Sequence, residues 1–166
     1  MYDRFLRHAT KLVACLIFLG CFCLGCEGRE EEQEILSILE QAEQGLENGS
    51  AQELMKHATR DFVGHPGKLN RWSATKDLYL LFRQHGPFSI LHPTPEIELD
   101  ETAQGAAVSM PFIIVAAGVT SSAIDEFADD HDAWIKYAEK HSEVHRLELS
   151  LVKKGERWLA ESANFL

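Results

Sequence analysis

The fold is decided by one stretch near the end of the chain, VHRLELSLVKKGERWLAESANF, residues 144–165. Apolar residues occupy every second position of its first half, at Leu147, Leu149 and Leu151. A period of two is typical of a strand with one buried face. Lys154-Gly155 favours a tight turn, and the residues from Trp158 onward favour a returning strand. The stretch therefore predicts an antiparallel hairpin that closes a sheet and buries Trp158.

Three further extended segments precede this hairpin. They are predicted at 88–92, 95–100 and 106–116, and the last is long and apolar. Pro93 and Pro95 favour an edge strand or a bend, because proline cannot donate to a strand ladder. The second half of the chain is therefore predicted to form a curved antiparallel sheet.

The preceding residues have the spacing of helices. Asn48-Gly49 ends a first amphipathic helix over 30–47, and Ser50 opens a capping box that starts a second, short helix. Gly64 to Gly67 predicts a turn, and Ser73 could cap a third helix over about 74–85. The apolar positions of the first helix are Ile35, Ile38, Leu39, Ala42 and Leu46. Helices followed by a sheet give an α+β order with three N-terminal helices packed on that sheet.

A helical insertion is predicted at about 120–142, between two strands that a few residues could join. Its apolar face must be buried somewhere, and we expect it to turn toward the open end of the sheet or toward a second subunit. A homodimer therefore stays open as an alternative. The other interpretation is that the insertion is a helix that only extends the outer surface of the domain. The apolar positions are Ile124, Phe127, Ala128, Ile135 and Ala138.

The N-terminal 25 residues have the pattern of a secretory signal. Three basic residues precede an uncharged stretch of fourteen residues, 12–25, and a sharply polar sequence follows Cys26. A helix of that length spans about 21 Å at 1.5 Å per residue. The bilayer core is about 30 Å thick, so a cleaved signal is favoured over a spanning helix, with an uncleaved anchor as the alternative.

Gly25-Cys26 resembles the end of a bacterial lipobox, although Cys23 and Leu24 fit that pattern poorly. Lipidation of Cys26 would make the protein an exported bacterial lipoprotein. It would then be anchored on the outer side of the cytoplasmic membrane or in the outer membrane. The predicted organisation is a signal peptide over 1–25, a lipid anchor and linker over 26–29, and one domain over 30–166. All four cysteines lie at or before Cys26, so no disulfide or thiolate site is expected in the domain.

Composition excludes several classes of function. Lys and Arg number 16 against 26 Asp and Glu, a formal charge of −10, which argues against a nucleic-acid partner. No phosphate-binding loop or dinucleotide fingerprint occurs, so no cofactor is expected. Asp129, His131, His141 and His145 raise the question of a metal site, but their spacing matches no zinc or calcium pattern, and none is predicted.

The order of helices and strands resembles the nuclear transport factor 2-like superfamily, which includes ketosteroid isomerase and the SnoaL-like cyclases. The resemblance covers about 30–165. It rests on Gly49-Ser50-Ala51, on Asp61-Phe62, and on the closing hairpin from Arg146 to Leu159. It implies a cone-shaped fold with a pocket between the concave sheet and the helices. That fold hosts enzymes, binding modules and assembly domains alike.

The resemblance also allows a test for isomerase chemistry. The isomerases place a catalytic Asp before a Pro in the turn after the second helix, and here that position is His65-Pro66. They also use a Tyr from the first helix, which here contains none. That departure argues against isomerase chemistry, although His65 or Asp61 could still act as a base.

Five further residues are candidates to line the pocket: His57, Trp72, His85, Trp158 and Asn164. Each also has a structural reading. His57 and Asp61 could form an i,i+4 helical pair, His85 could cap a helix, and Trp72 could be a packing residue. The first functional hypothesis is a membrane-tethered domain that binds a small apolar molecule or another protein, without catalysis. The alternative is a small SnoaL-like isomerase, hydrolase or dehydratase acting on an apolar substrate. The discriminating feature is a deep pocket with convergent titratable groups, which an enzyme needs.

Overall fold

The structure, a computed structural model, describes residues 27–119 and 122–166. The chain divides into two units, Met1–Gln33 and Glu34–Leu166, and the second unit holds the fold. The predicted signal over 1–25 and the lipidation site Cys26 lie outside the described residues, as do positions 120 and 121 of the insertion.

Five helices occur in the described ranges, and local signals explain where they begin and end. Ser50 caps the second, because its Oγ accepts a hydrogen bond from the backbone N–H of Glu53 at 3.2 Å. The third ends at Gly86, whose φ of 78° favours glycine. The helices are α1 Glu27–Glu47, α2 Ala51–Met55, α3 Arg71–His85, α4 Ser122–Asp125 and α5 His131–Ala138.

Seven strands form one sheet in the described part of the chain, in the order β2-β1-β7-β6-β5-β3, and β4 also pairs with β5. The helices pack on this curved, unclosed sheet, so the predicted α+β class is confirmed, including the helical insertion. The strands are β1 Ala58–His65, β2 Leu69–Asn70, β3 Phe88–Leu91, β4 Glu96–Leu99, β5 Gly105–Ala116, β6 His145–Lys154 and β7 Arg157–Phe165.

Three local predictions need correction. Gly64 and His65 are not in a turn but end β1, and the turn follows them. β1 pairs parallel to β7, whereas the other pairings of the sheet are antiparallel. Parallel pairing needs a long crossover, and here most of the domain lies between the two strands. Helix α3 begins at Arg71 rather than 74, because the Asn70 side chain caps it in place of Ser73.

Strand β5 changes partner along its length. Ala106–Ser109 pair with β4 and Ile113–Ala116 pair with β3, while β6 lies along the opposite side. Pro111 lies between the two sets of pairs, where a missing N–H removes no ladder bond toward β3 or β4. The partner change lets a single strand connect the two ends of the sheet.

The core consists of three clusters of buried side chains. Helix α1 packs Ile35 and Leu39 onto the sheet, where Trp158 is 1% exposed as predicted. Phe62 lies in a second cluster beneath α2 and α3. The insertion forms the third, in which Ile124, Trp134 and Ala138 pack on Ile113 of β5. The predicted apolar face of the insertion is therefore buried against the sheet.

Candidate functional site

The space between helix α3 and the sheet is occupied by side chains. Phe62 is buried there with Met55, Ala58 and Ala163. Half-buried residues complete the packing, namely Ala74, Leu78, Leu147, Leu149 and Ala160. The pocket that the resemblance implies is thus closed by apolar side chains in this region. Among the described residues, two surface grooves are open enough to receive a ligand.

The first, which we call the basic groove, has a volume of about 530 Å³ and is lined by Arg60, Asn70, Arg71, Trp72 and Thr75. β1 supplies Arg60, the end of β2 supplies Asn70, and the start of α3 supplies Arg71, Trp72 and Thr75. The Asn70 Oδ1 accepts a hydrogen bond from the Ser73 N–H at 2.9 Å, which fixes the first turn of the helix. The Thr75 hydroxyl donates to the Arg71 carbonyl at 2.7 Å. These bonds hold the helical wall of the groove in place.

The basic groove has no acidic residue among its lining residues. Within the described ranges, neither Arg60 nor Arg71 forms an ion pair with a carboxylate. Trp72 is 73% exposed beside them, and the Lys76 Nζ lies 5.7 Å from the centre of its ring. A chain of net charge −10 therefore carries a groove lined by two arginines and an exposed indole, with a lysine over the face of that indole.

The second, which we call the hairpin groove, has a volume of about 510 Å³ and lies between α1 and the β6–β7 hairpin. Two of its charged lining residues are in ion pairs, since the Lys56 Nζ lies 2.7 Å from Glu53 and Glu34 lies 3.5 Å from the Lys153 Nζ. Its lining residues are Glu34, Ser37, Ile38, Gln41, Lys56, His57, Glu156, Arg157, Trp158 and Leu159.

His57 borders the hairpin groove with one ring nitrogen turned away from water. Burial lowers the pKa of His57, the charge of Lys56 lowers it further, and Glu53 partly opposes the change. Its Nε2 is buried and has no hydrogen-bond partner among the described residues, and the same holds for the Thr59 hydroxyl. Because the His57 Nε2 is shielded from solvent, a ligand in the groove would not contact this atom directly.

The two candidate bases do not converge. Asp61 is exposed on β1, and His65 is half-buried at the end of the same strand. Four residues of strand separate them by about 13 Å. The helical pairing of His57 with Asp61 is wrong, because α2 ends at Met55 and Asp61 lies in a strand. These residues do not form an acid–base dyad in the structure.

The predicted pocket residues are divided among different surfaces. Trp72 lines the basic groove, whereas His57 and Trp158 line the hairpin groove. His85 is exposed at the end of α3. The Asn164 amide donates to Glu148 at 3.2 Å across the β6–β7 pair, away from both grooves. Nowhere in 27–119 or 122–166 do three or more His, Asp or Glu side chains come together to hold a metal ion.

Sequence reasoning missed Arg60 and Arg71, which form the basic groove, and it also missed His92. The His92 Nε2 lies 2.8 Å from Glu43 and its Nδ1 lies 2.6 Å from the Pro93 carbonyl. Burial opposes the charged ring, but the hydrogen bonds to Glu43 and Pro93 and the charge of Glu43 outweigh it and raise the pKa of His92. The available signal for the groove was Arg71 beside Trp72 at a helix start.

Several solved structures are similar in fold to this chain. A protein from Novosphingobium aromaticivorans, provisionally named a scytalone dehydratase, aligns over 83% of this chain and 84% of its own, with 11% identity and a TM-score of 0.58. A Nostoc punctiforme protein of unknown function with a cystatin-like fold aligns over 81% and 88%, with 8% identity and a TM-score of 0.57. A protein named as an NTF2 variant aligns over 82% and 99%, with 14% identity and a TM-score of 0.53.

These likenesses show the nuclear transport factor 2-like fold, which confirms the resemblance seen in the sequence. At such low identity they show the fold alone. No protein-family model matches the chain, and no curated protein matches it by sequence. Among the helices that the structure describes, none is long and apolar enough to cross a membrane.

Proposed function

We propose that this protein is an exported, membrane-tethered binding domain without catalysis of its own, and that the basic groove is its binding site. The observation that carries the proposal is the groove itself. It brings Arg60 and Arg71, which have no carboxylate partner in the described ranges, beside the exposed ring of Trp72. Unpaired cations and an exposed aromatic ring contribute little to folding and are suited to a ligand or a protein partner.

The enzyme alternative has less support. It draws on the enzymatic names of two fold relatives and on His65 and Asp61 as bases. An active site of this kind needs titratable groups that meet at one reacting atom. Asp61 and His65 lie apart on one strand, and the interior beside them is occupied by Phe62 and its neighbours. The geometry therefore supports binding better than proton transfer.

The tether is supported by the sequence at Gly25-Cys26. Lipid on Cys26 would hold the domain at the outer face of the cytoplasmic membrane or in the outer membrane. One acyl chain binds a bilayer only marginally, so stable anchoring requires more than one. We expect wild-type protein in the membrane fraction to carry the mass of a multiply acylated cysteine.

Cys26→Ser tests this tether, with Cys23→Ser as the matched control. Lipidation at Cys26 predicts that Cys26→Ser loses the added mass, whereas Cys23→Ser keeps it. Mass spectrometry of the membrane fraction reads both. An unchanged, lipid-free mass for wild type and for both variants would refute the lipoprotein proposal and leave an uncleaved anchor.

The chain offers a direct test of the binding site, because its three tryptophans report on three places. Trp72 lies in the basic groove, Trp158 in the α1 cluster and Trp134 in the insertion. In nuclear magnetic resonance spectra of the full-length protein, fragments that bind should shift the indole signal of Trp72. Shifts confined to Trp134 or Trp158 would contradict the proposed site.

A further inference from the structure

We propose that the basic groove takes a small ligand in which an oxyanion, a carboxylate or a phosphate, is attached to a flat aromatic ring. The inference rests on the proposed binding function and names the chemistry of the ligand for that same site. It depends on three features: the cations of the groove, its indole, and its volume in a chain of net negative charge.

The cations of the groove are two arginines. Arg60 on β1 and Arg71 at the start of α3 line one groove from two different elements. A guanidinium presents a planar fork of donors that matches the oxygens of a carboxylate or phosphate. Two positive charges that line one groove repel each other, and neither forms an ion pair with a carboxylate of the described residues. An oxyanion from a ligand would supply the missing charge and accept their hydrogen bonds.

The exposed indole indicates the second part of the ligand, a flat aromatic ring. Trp72 is 73% exposed, although burial of a Trp side chain is normally strongly favourable. Lys76 lies 5.7 Å from the ring centre, which adds a third cation to the same wall. A flat aromatic ring could stack on the exposed indole while its acidic substituent reaches the guanidinium groups. This pairing of a ring and an anion is more selective than either contact alone.

The charge of the whole molecule limits the size of the ligand. The net charge of −10 repels a polyanion or an anionic membrane at long range. At physiological salt that repulsion is screened beyond about 8 Å, so a small anion can still reach the local field of the arginines. A groove of about 530 Å³ is of the size that holds a small molecule. A small aromatic anion thus fits the site better than a nucleic acid or a lipid surface.

The test titrates the full-length protein with 2-naphthoate, 2-naphthyl phosphate and neutral 2-naphthamide, and follows the indole signal of Trp72. We expect at least one of the two anions to bind about tenfold or more tightly than the amide, because charged hydrogen bonds are stronger than neutral ones. A preference between the two anions then identifies the acidic group. Binding should weaken as salt is raised.

Arg60→Gln and Arg71→Gln should each weaken binding of the preferred anion by about tenfold. Arg83→Gln is the matched control, because Arg83 is exposed on α3, the helix that carries Arg71, but does not line the groove. Arg60→Lys keeps the charge and loses the fork, so its affinity should lie between wild type and Arg60→Gln. Thermal unfolding of each variant confirms that it remains folded.

The outcomes separate this inference from the proposed function. If 2-naphthamide binds as tightly as the anions at Trp72, the ligand chemistry is wrong and the binding site stands. If neutral fragments shift the Trp72 signal and neither anion does, the ligand chemistry is again wrong and the binding site again stands. If no compound shifts Trp72, both proposals fail. If anionic vesicles bind through Arg60 and Arg71 while the naphthyl anions do not, the small-molecule inference is overturned.

Discussion

The insertion and the start of helix α3 use their polar and aromatic residues in opposite ways. In the insertion, Trp134 is 1% exposed and Asp130 caps α5 through a 3.0 Å bond from the Ala133 N–H. At the start of α3, Trp72 is 73% exposed and the arginines beside it lack carboxylate partners among the described residues. The insertion buries its tryptophan and pairs its capping carboxylate, whereas the start of α3 leaves its tryptophan exposed beside arginines that have no carboxylate partner in the described ranges.

The insertion is also held to the neighbouring connection between β3 and β4. The Thr94 hydroxyl donates to Asp129 at 3.0 Å, and the His131 Nε2 lies 2.6 Å from the Thr94 carbonyl. The His131 Nδ1 lies 3.3 Å from Glu96. Hydrogen-bonding groups that face each other within a protein stabilise it and have little left to offer a partner. Asp129 and Asp130 of the insertion therefore stabilise the fold, whereas the arginines near α3 have no such partner and are the residues that we propose bind a ligand.

The largest test of this contrast is a matched pair of tryptophan substitutions. Trp134→Ala should lower the free energy of unfolding by about 3–5 kcal/mol, because it leaves a cavity in the insertion cluster. Trp72→Ala should change it by less than about 0.5 kcal/mol, because the side chain is mostly in water. Chemical denaturation measures both. Equal losses would show that the two regions do not differ as described.

A second test uses pH and the contact between His92 and Glu43. The pKa of His92 is raised in the folded protein, so its stabilising contribution is complete below the unfolded pKa of about 6.5. That contribution is lost as the pH rises through the folded pKa. Glu43→Gln should therefore cost more at pH 5.5 than at pH 8.5, with a loss of roughly 1–2 kcal/mol at the lower pH.

Glu40→Gln is the control for this pH effect, since Glu40 is exposed on the same helix. In Glu43→Gln, the fall in denaturation midpoint relative to wild type should be larger at pH 5.5 than at pH 8.5. In Glu40→Gln, the midpoint should stay close to wild type at both pH values. A cost of Glu43→Gln that is the same at both pH values would contradict the charged pairing with His92.

A third test compares the caps of the two helices. Asn70→Ala and Asp130→Ala each remove a side chain that accepts from a helix N–H, and each should cost about 1 kcal/mol. Only Asn70 lines the basic groove, so only Asn70→Ala should also weaken the binding of 2-naphthoate. Denaturation and titration of both variants check this. Weaker binding by Asp130→Ala would connect the insertion to the site and break the contrast.

The smallest expected effect concerns the arginines themselves. Arg60→Gln and Arg71→Gln should each change the free energy of unfolding by less than about 0.5 kcal/mol, because neither side chain has an ion-pair partner to lose in the described ranges. Denaturation in the absence of ligand measures the change. A loss of more than about 1 kcal/mol would assign these side chains a structural role.

Local patterns predicted most of the fold. The alternation of Leu147, Leu149 and Leu151 gave β6, and the Ser50 capping box gave the start of α2. These signals act over a few residues and survive in the folded chain. The prediction failed where two signals competed, as when Asn70 rather than Ser73 capped α3 and when Gly64 continued β1.

The candidate site was harder to predict, because its features depend on tertiary placement. The sequence favoured a packing role for Trp72, and only the folded chain shows that its side chain is mostly in water. Arg60 and Arg71 line one groove because β1 lies against helix α3, and no local pattern encodes that placement. The pairing of His92 with Glu43 joins residues 49 positions apart.

The central claim is that ligand enters the basic groove and not the interior of the fold. A crystal structure of the full-length protein soaked with 2-naphthoate tests it most directly. We expect electron density for 2-naphthoate with its carboxylate between Arg60 and Arg71 and its naphthyl ring on Trp72. Density in the hairpin groove or between Phe62 and Leu149, with the basic groove empty, would contradict it.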